Sequence, residues 1–147
     1  MQHFHDEIRV EAPVEHVWAY ISDGSHLDDI APRAKHTDFS GSLDQVGTTF
    51  VATGRMMGFT SKSTFTVVEV QPQRLCRIRS ERGAGEMGWR LEPEGDATRL
   101  IFDTDYDVPG HLPGFVTGFL TKSWERDMHR MLTDIKTFTE ATVLAHA

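Results

Sequence analysis

The last stretch of the chain constrains the fold most. From about Gly114 to about Ala141 it reads as a single long helix. At 100° per residue, Trp124, Met128, Met131, Ile135 and Phe138, joined by Leu120, fall inside an arc of roughly 80°, with Lys122, Arg126 and His129 opposite. A stripe of that length must be laid on something broad. The only broad apolar surface available comes from the residues before it, which read as strands and turns. Strands are predicted near His36–Ser40, Thr48–Gly54, Phe59–Val70, Leu75–Glu81, Glu86–Glu92 and Thr98–Val108, separated by "GSLDQVG", "RMMG", "QPQ", "RGAG" and "PEGD". Such short connections favour antiparallel hairpins.

Two of these strands have clear faces. Met87, Trp89 and Leu91 alternate with Glu86, Arg90 and Glu92, and Leu100, Phe102, Thr104, Tyr106 and Val108 alternate with Arg99, Asp103, Asp105 and Asp107. One sheet face is therefore wet and acidic, the other apolar and aromatic. The Phe59–Val70 segment mixes Thr, Ser, Phe and Val on both faces, and its facing is left open.

At the other end, "IRVEAPVEHVWAYISD" changes period. Ile8 and Val10 share one strand face; after Ala12-Pro13, Val14, Val17, Trp18 and Ile21 recur at helical spacing, with Pro13 suited to the first helical position. A second short helix is expected from Ser25 to Ile30, with Ser25 as cap, Asp28 as its capping-box partner and Pro32 as the stop.

Composition narrows the classes. A chain of 147 residues fits one domain, spanning residues 1–147. The formal charge is −7 and the basic residues are scattered, which argues against nucleic-acid binding. One cysteine, Cys76, allows neither an internal disulfide nor a cysteine zinc cluster. No signal-peptide pattern and no apolar run near the length of a membrane span occur, so a cytoplasmic protein is expected.

Ile8, Ala12-Pro13, Val17-Trp18, Val68-Glu69-Val70, Pro72 and Arg74-Leu75 carry a resemblance that covers nearly the whole chain. The sequence resembles the START-like, polyketide cyclase/dehydrase superfamily (SRPBCC), which includes the birch-pollen allergen fold. The resemblance implies an α+β helix-grip domain: a curved seven-stranded antiparallel sheet around a long C-terminal helix, with two short helices after the first strand. It also implies a largely apolar pocket between sheet and helix, used by different members to bind lipids, quinones or polyketides. Some members catalyse cyclisation or dehydration there, so a shared fold does not choose among carriers and enzymes.

Within that frame Met87, Trp89, Phe102, Tyr106, Trp124, Met128 and Met131 are candidates for lining the pocket, with ordinary core packing as the alternative for each. Asp127 lies about 40° from Met131 on the helical wheel, at the border of the stripe. A carboxyl there suits a general acid or base for enolisation or dehydration, or else leans to water or an arginine. Tyr106 and Arg77 would share proton transfer and oxyanion stabilisation in such an enzyme.

His3 and His5 share a strand face with Glu7 and Arg9 and read as solvent-facing; no spacing marks a metal site. His129 falls on the outer side of the long helix. No nucleophile motif or phosphate loop is visible, and no cofactor is expected. "DVPGHLPGF" offers either a lid or a rigid connector beside the pocket mouth. The expected partner is a small hydrophobic molecule, with a protein-partner module of the same fold as a further alternative; monomer and homodimer both stay open.

Overall fold

In the computed structural model the chain is described over residues 2–31, 34–56, 59–81, 86–106 and 113–145. Pro32, residues 107–112 with His111, and residues 82–85 lie outside the described residues, as do the side chains of residues 55–59 and of Tyr106.

Strand β1 (Gln2–Val10) starts six residues before the alternation at Ile8 that announced it, and α1 (Val14–Ile21) follows the predicted junction. Pro13 sits one position earlier than expected, at the N-cap, where its carbonyl accepts the His16 and Val17 N–H groups at 3.0 and 3.3 Å. The junction is tied to the sheet: Val10 and Ala12 are buried, and Thr98 Oγ1 donates to Ala12 O at 2.8 Å. The second short helix divides into a 3₁₀ turn, Gly24–His26, and α2 (Leu27–Ile30). Its cap is Asp23, whose carboxylate accepts both the N–H and the hydroxyl of Ser25. Asp28 makes no capping box; it accepts the backbone N–H of His36 at 2.8 Å, which fastens the helix to the next strand.

The remaining strands are β2 (Ala34–Thr37), β3 (Thr49–Met56), β4 (Phe59–Gln71), β5 (Leu75–Ser80), β6 (Glu86–Glu94) and β7 (Ala97–Tyr106). β2 ends before the predicted Ser40 because Asp38 takes φ +59°, a left-handed conformation that breaks extended pairing and that Asp tolerates better than most residues. The sheet has the order β1-β7-β6-β5-β4-β3-β2, all antiparallel, so each hairpin neighbour pairs with the next and β1 closes onto β7. Gly95, at φ +64°, makes the tight β6–β7 turn between Glu94 and Ala97.

β4 answers the facing question left open by its composition. Phe65 and Val67 point inward, then the register shifts between Val67 and Glu69, and Val70 pairs with inward-facing Cys76 while Glu69 pairs with Arg77. The extra residue is a β-bulge, and it switches the inward positions from odd to even.

Helix α3 (Gly114–Ala145) crosses the inner face of the sheet and runs four residues beyond its predicted end. Its buried residues are Met131, Leu132, Ile135 and Thr139. The buried arc is thus rotated from the predicted stripe, which omitted Leu132 and Thr139 and included Phe138, here 42% exposed. Two bonds fasten this side of the helix to β1 and the residue after it: Lys136 Nζ donates to Arg9 O at 2.9 Å, and Glu140 accepts the Glu11 N–H at 3.0 Å. Full burial of side chains such as Leu132, Ile135 and Phe102 stabilises the fold by about 1.5–3 kcal/mol each.

Candidate functional site

The inner face of the sheet is organised around an aromatic row. Trp89 on β6 and Phe102 on β7 have ring centroids 5.7 Å apart, Phe102 and Phe4 on β1 are 6.5 Å apart, and Phe4 meets Trp124 of α3 edge to face at 5.8 Å. The row links three residues named from the sequence. Their connection, Phe4, is not among the residues named from the sequence; in "QHFHD" it alternates with His3 and His5, so the solvent-facing reading of those two histidines already put Phe4 on the inner face. Met131 is buried in the same core, and Met87 and Met128 pack against it half-buried. A second row, Phe39, Phe50 and Phe65, stacks at 5.2 and 5.4 Å on the same inner side, towards the β3–β2 edge of the sheet.

One polar group inside this apolar layer stands open. Trp89 is 2% exposed, and its Nε1–H has no acceptor among the described residues. Tryptophan buried in a core ordinarily finds a partner for that N–H.

The outer face holds most of the ionisable side chains of these strands. His3 Nδ1 lies 2.8 Å from Asp105 and His5 Nδ1 2.7 Å from Asp103. These bonds hold both imidazoles above the usual histidine range, against a smaller opposing effect of burial. Arg77 belongs here and not to the inner face. Its Nε and Nη2 donate to Glu86 at 2.9 and 2.7 Å, Arg79 donates to the same carboxylate, and together they hold the Glu86 carboxyl below its ordinary value. β5 alternates, so the neighbours of Arg77, Cys76 and Ile78, face inward and the arginine cannot. Arg99 donates from Nη2 to Glu92 at 2.6 Å while its buried Nε has no partner among the described residues.

Asp127 is half-buried on α3 and is engaged by a neighbour. Tyr106 continues β7 opposite Gln2, its side chain outside the described residues. The three residues named for proton transfer are thus not gathered: Arg77 is on the opposite face of the sheet. His129, as expected, is exposed on α3, where its Nδ1 lies 2.6 Å from Asp6. Burial pushes the Cys76 thiol up to about 12, so it is held protonated beneath Leu43, whose carbonyl accepts from its Sγ at 3.4 Å. Among the described residues no group of three or more His, Cys, Asp or Glu is placed to hold a metal ion, and no helix is long and apolar enough to cross a membrane.

A seven-stranded sheet gripping a long C-terminal helix is also what comparison with known proteins finds. The family model described as polyketide cyclase / dehydrase and lipid transport matches residues 1–140. The chain belongs to this family. Among solved structures, the family's fold recurs in the Zhui aromatase/cyclase from a Streptomyces species (TM-score 0.79, 20% identity, covering 97% of this chain and 95% of that one). It recurs in a START superfamily protein from Mycobacterium smegmatis (TM-score 0.68, 16% identity, 92% and 98%). Norcoclaurine synthase from Thalictrum flavum, solved with dopamine and hydroxybenzaldehyde, is a third (TM-score 0.67, 20% identity, 99% and 88%). A search of curated proteins gives no match. At these identities the family likeness extends to the fold, and the chemistry must be argued from this chain's own side chains.

Proposed function

We propose that this protein binds or transports a small hydrophobic molecule, lipid-, quinone- or polyketide-like, between the sheet and α3, and that Trp89 donates a hydrogen bond to an oxygen of that ligand. The observation that carries the reading is the open indole N–H in a layer whose other buried side-chain polar groups on β7, Thr98 and Thr104, have acceptors. A buried donor left unpaired costs about 1–3 kcal/mol, and a ligand carbonyl or hydroxyl would restore the bond. The flat rings of Trp89, Phe102 and Trp124 suit a planar ligand, and the thioethers of Met87, Met128 and Met131 adapt to its outline.

The test begins with native mass spectrometry of gently purified protein and organic extraction of whatever travels with it. Calorimetry then compares menadione with 2-methylnaphthalene, a matched pair differing in the carbonyl oxygens. The quinone should bind about tenfold more tightly, equivalent to one hydrogen bond of about 1.4 kcal/mol. Trp89→Phe should erase the difference while leaving the hydrocarbon's affinity intact; equal binding of the two probes to the unaltered protein would sink the reading.

A second reading, a polyketide cyclase, aromatase or dehydratase working in the same space, draws support from the family description and from the half-buried carboxylate of Asp127. It requires turnover that Asp127→Asn abolishes without weakening ligand binding. A protein-partner role draws support from Phe115 and Phe119, 82% and 66% exposed one turn apart at the start of α3. Replacing both by serine would then release a stoichiometric partner.

A further inference from the structure

We propose that the groove between α1, α2 and the C-terminal half of α3 is a second binding site, separate from the sheet–helix interior, for a small primary amine carrying a flat apolar group. The groove has a volume of about 620 Å³ and is lined by His16, Tyr20, His26, Asp29, Phe138 and Thr139, among others. None of these belongs to the inner aromatic row, so this proposal and the preceding one fail separately.

The floor is made of nearly parallel rings. Tyr20 stacks on His26 with centroids 4.0 Å apart and planes 11° apart, and Phe138 lies 6.1 Å from Tyr20 at 21°. His26 Nδ1 is 2.8 Å from Tyr20 O. A carbonyl only accepts, so Nδ1 carries the proton and the ring is locked in place. Phe138 is 42% exposed and so keeps a free apolar surface for a second flat group.

Two buried polar atoms at the groove have no partner among the described residues, Thr139 Oγ1 and His16 Nδ1. Thr139 is 1% exposed and departs from the pattern of three other threonines in the C-terminal half of its helix. Thr133, Thr137 and Thr142 each donate their hydroxyl to the carbonyl four residues back, the ordinary resting arrangement for a helical threonine. Thr139 makes no such bond.

The charge around the groove fixes the sign of the ligand. Asp29 lines it, and the charges of Asp29, Asp134 and Asp23 add to burial in raising the Tyr20 hydroxyl to about 12. An anion would be repelled. A protonated primary amine brings three donors and no acceptor, and the lining residues hold three acceptors: the Asp29 carboxylate and, buried just behind the surface, the unpartnered Thr139 hydroxyl oxygen and His16 Nδ1 in its lone-pair tautomer. Aromatic faces beside an acidic group are also the usual surroundings of a bound organic cation.

The experiment is an amide NMR titration of the full chain with benzylamine, with benzoate and benzyl alcohol as anionic and neutral controls. Saturable shifts are expected near residues 16–29 and 138–145, with benzoate at least about tenfold weaker. Thr139→Val keeps the shape and removes only an unpaired hydroxyl, so it should melt at or above the parent temperature and weaken benzylamine several-fold. Thr139→Ser should retain binding, and Asp29→Asn should weaken the amine without affecting benzyl alcohol. No saturation by about 10 mM benzylamine, where even a fragment of this size should bind, overturns the proposal. So do shifts centred on β6 and β7, equal binding of benzoate, or a Thr139→Val variant that is less stable and binds the amine unchanged.

Discussion

The two faces of β1, β5, β6 and β7 treat polar side chains in opposite ways. On the outer face His3, His5, Arg77 and Arg99 reach acidic partners on neighbouring strands, and all four are substantially exposed. On the inner face Thr98 is satisfied by Ala12 O, and the Trp89 N–H is left open beneath the core. Water competes with every outer pair, so forming or losing one changes little. Nothing competes for the indole, and an unmet donor there is costly. A count of ionisable groups would have pointed to the outer face as the reactive one. Their pairing with each other points the other way and supports the proposed placement of a ligand at the inner face.

That contrast is broken or sharpened first by removing packing. Phe102→Ala takes out the ring that joins Phe4 to Trp89 at a position 0% exposed, and should cost about 3–5 kcal/mol in urea unfolding. A loss under about 1 kcal/mol would mean that the inner layer is loosely filled and the row is no scaffold. Trp89→Phe comes next. It removes the open donor together with part of the ring, so the gain from deleting an unpaired N–H offsets some of the cavity cost. The net change should lie within about 1–2 kcal/mol of zero. A larger loss would indicate that the N–H has an internal acceptor. On the outer face Arg77→Ala breaks two bonds to Glu86 at a side chain 40% exposed, and should change stability by less than about 1 kcal/mol with no effect on menadione affinity. An affinity loss would return Arg77 to the site.

How far the sequence reached follows the same division. Trp89, Phe102 and Met131 were legible because β6, β7 and α3 keep strict periods over their middles, so an inward residue predicts the next. β4 was not, because the bulge at Val67/Glu69 flips parity halfway along, and no residue in "FTVVEVQ" announces it. Leu43 was hidden for a different reason: it lies in "GSLDQVG", whose composition marks a loop, yet it is 0% exposed with its N–H on Ser22 O at 3.1 Å. A loop residue becomes core only through tertiary packing, which spacing does not record. The misplacement of Arg77 came from reading chemistry ahead of facing; the alternation of Cys76 and Ile78 already assigned it outward. The groove beside α1 was not legible at all, since it joins residues 16–29 to 138–145 and depends on Thr139 departing from the habit of its helix.

The smallest expected effect tests the outer face by pH. His3 and His5 titrate above the ordinary histidine value of 6.5 in the folded protein, chiefly through their bonds to Asp105 and Asp103 respectively. A raised folded value means that the native state binds these protons more tightly than the unfolded chain does. The contribution is therefore fully present below 6.5 and is lost as pH rises through the folded values. Both imidazoles are about half exposed, so the effect is heavily screened and small. Asp103→Asn removes the carboxylate that both rings approach, while Glu7 remains 3.4 Å from His5. Thermal melts of the parent and the variant at pH about 6 and about 8.5 should then differ more at the lower pH, with the gap closing at the higher one. A gap that is constant, or that widens with pH, would mean that the histidines are not held as cations by the sheet, and the outer face would no longer be a self-paired surface.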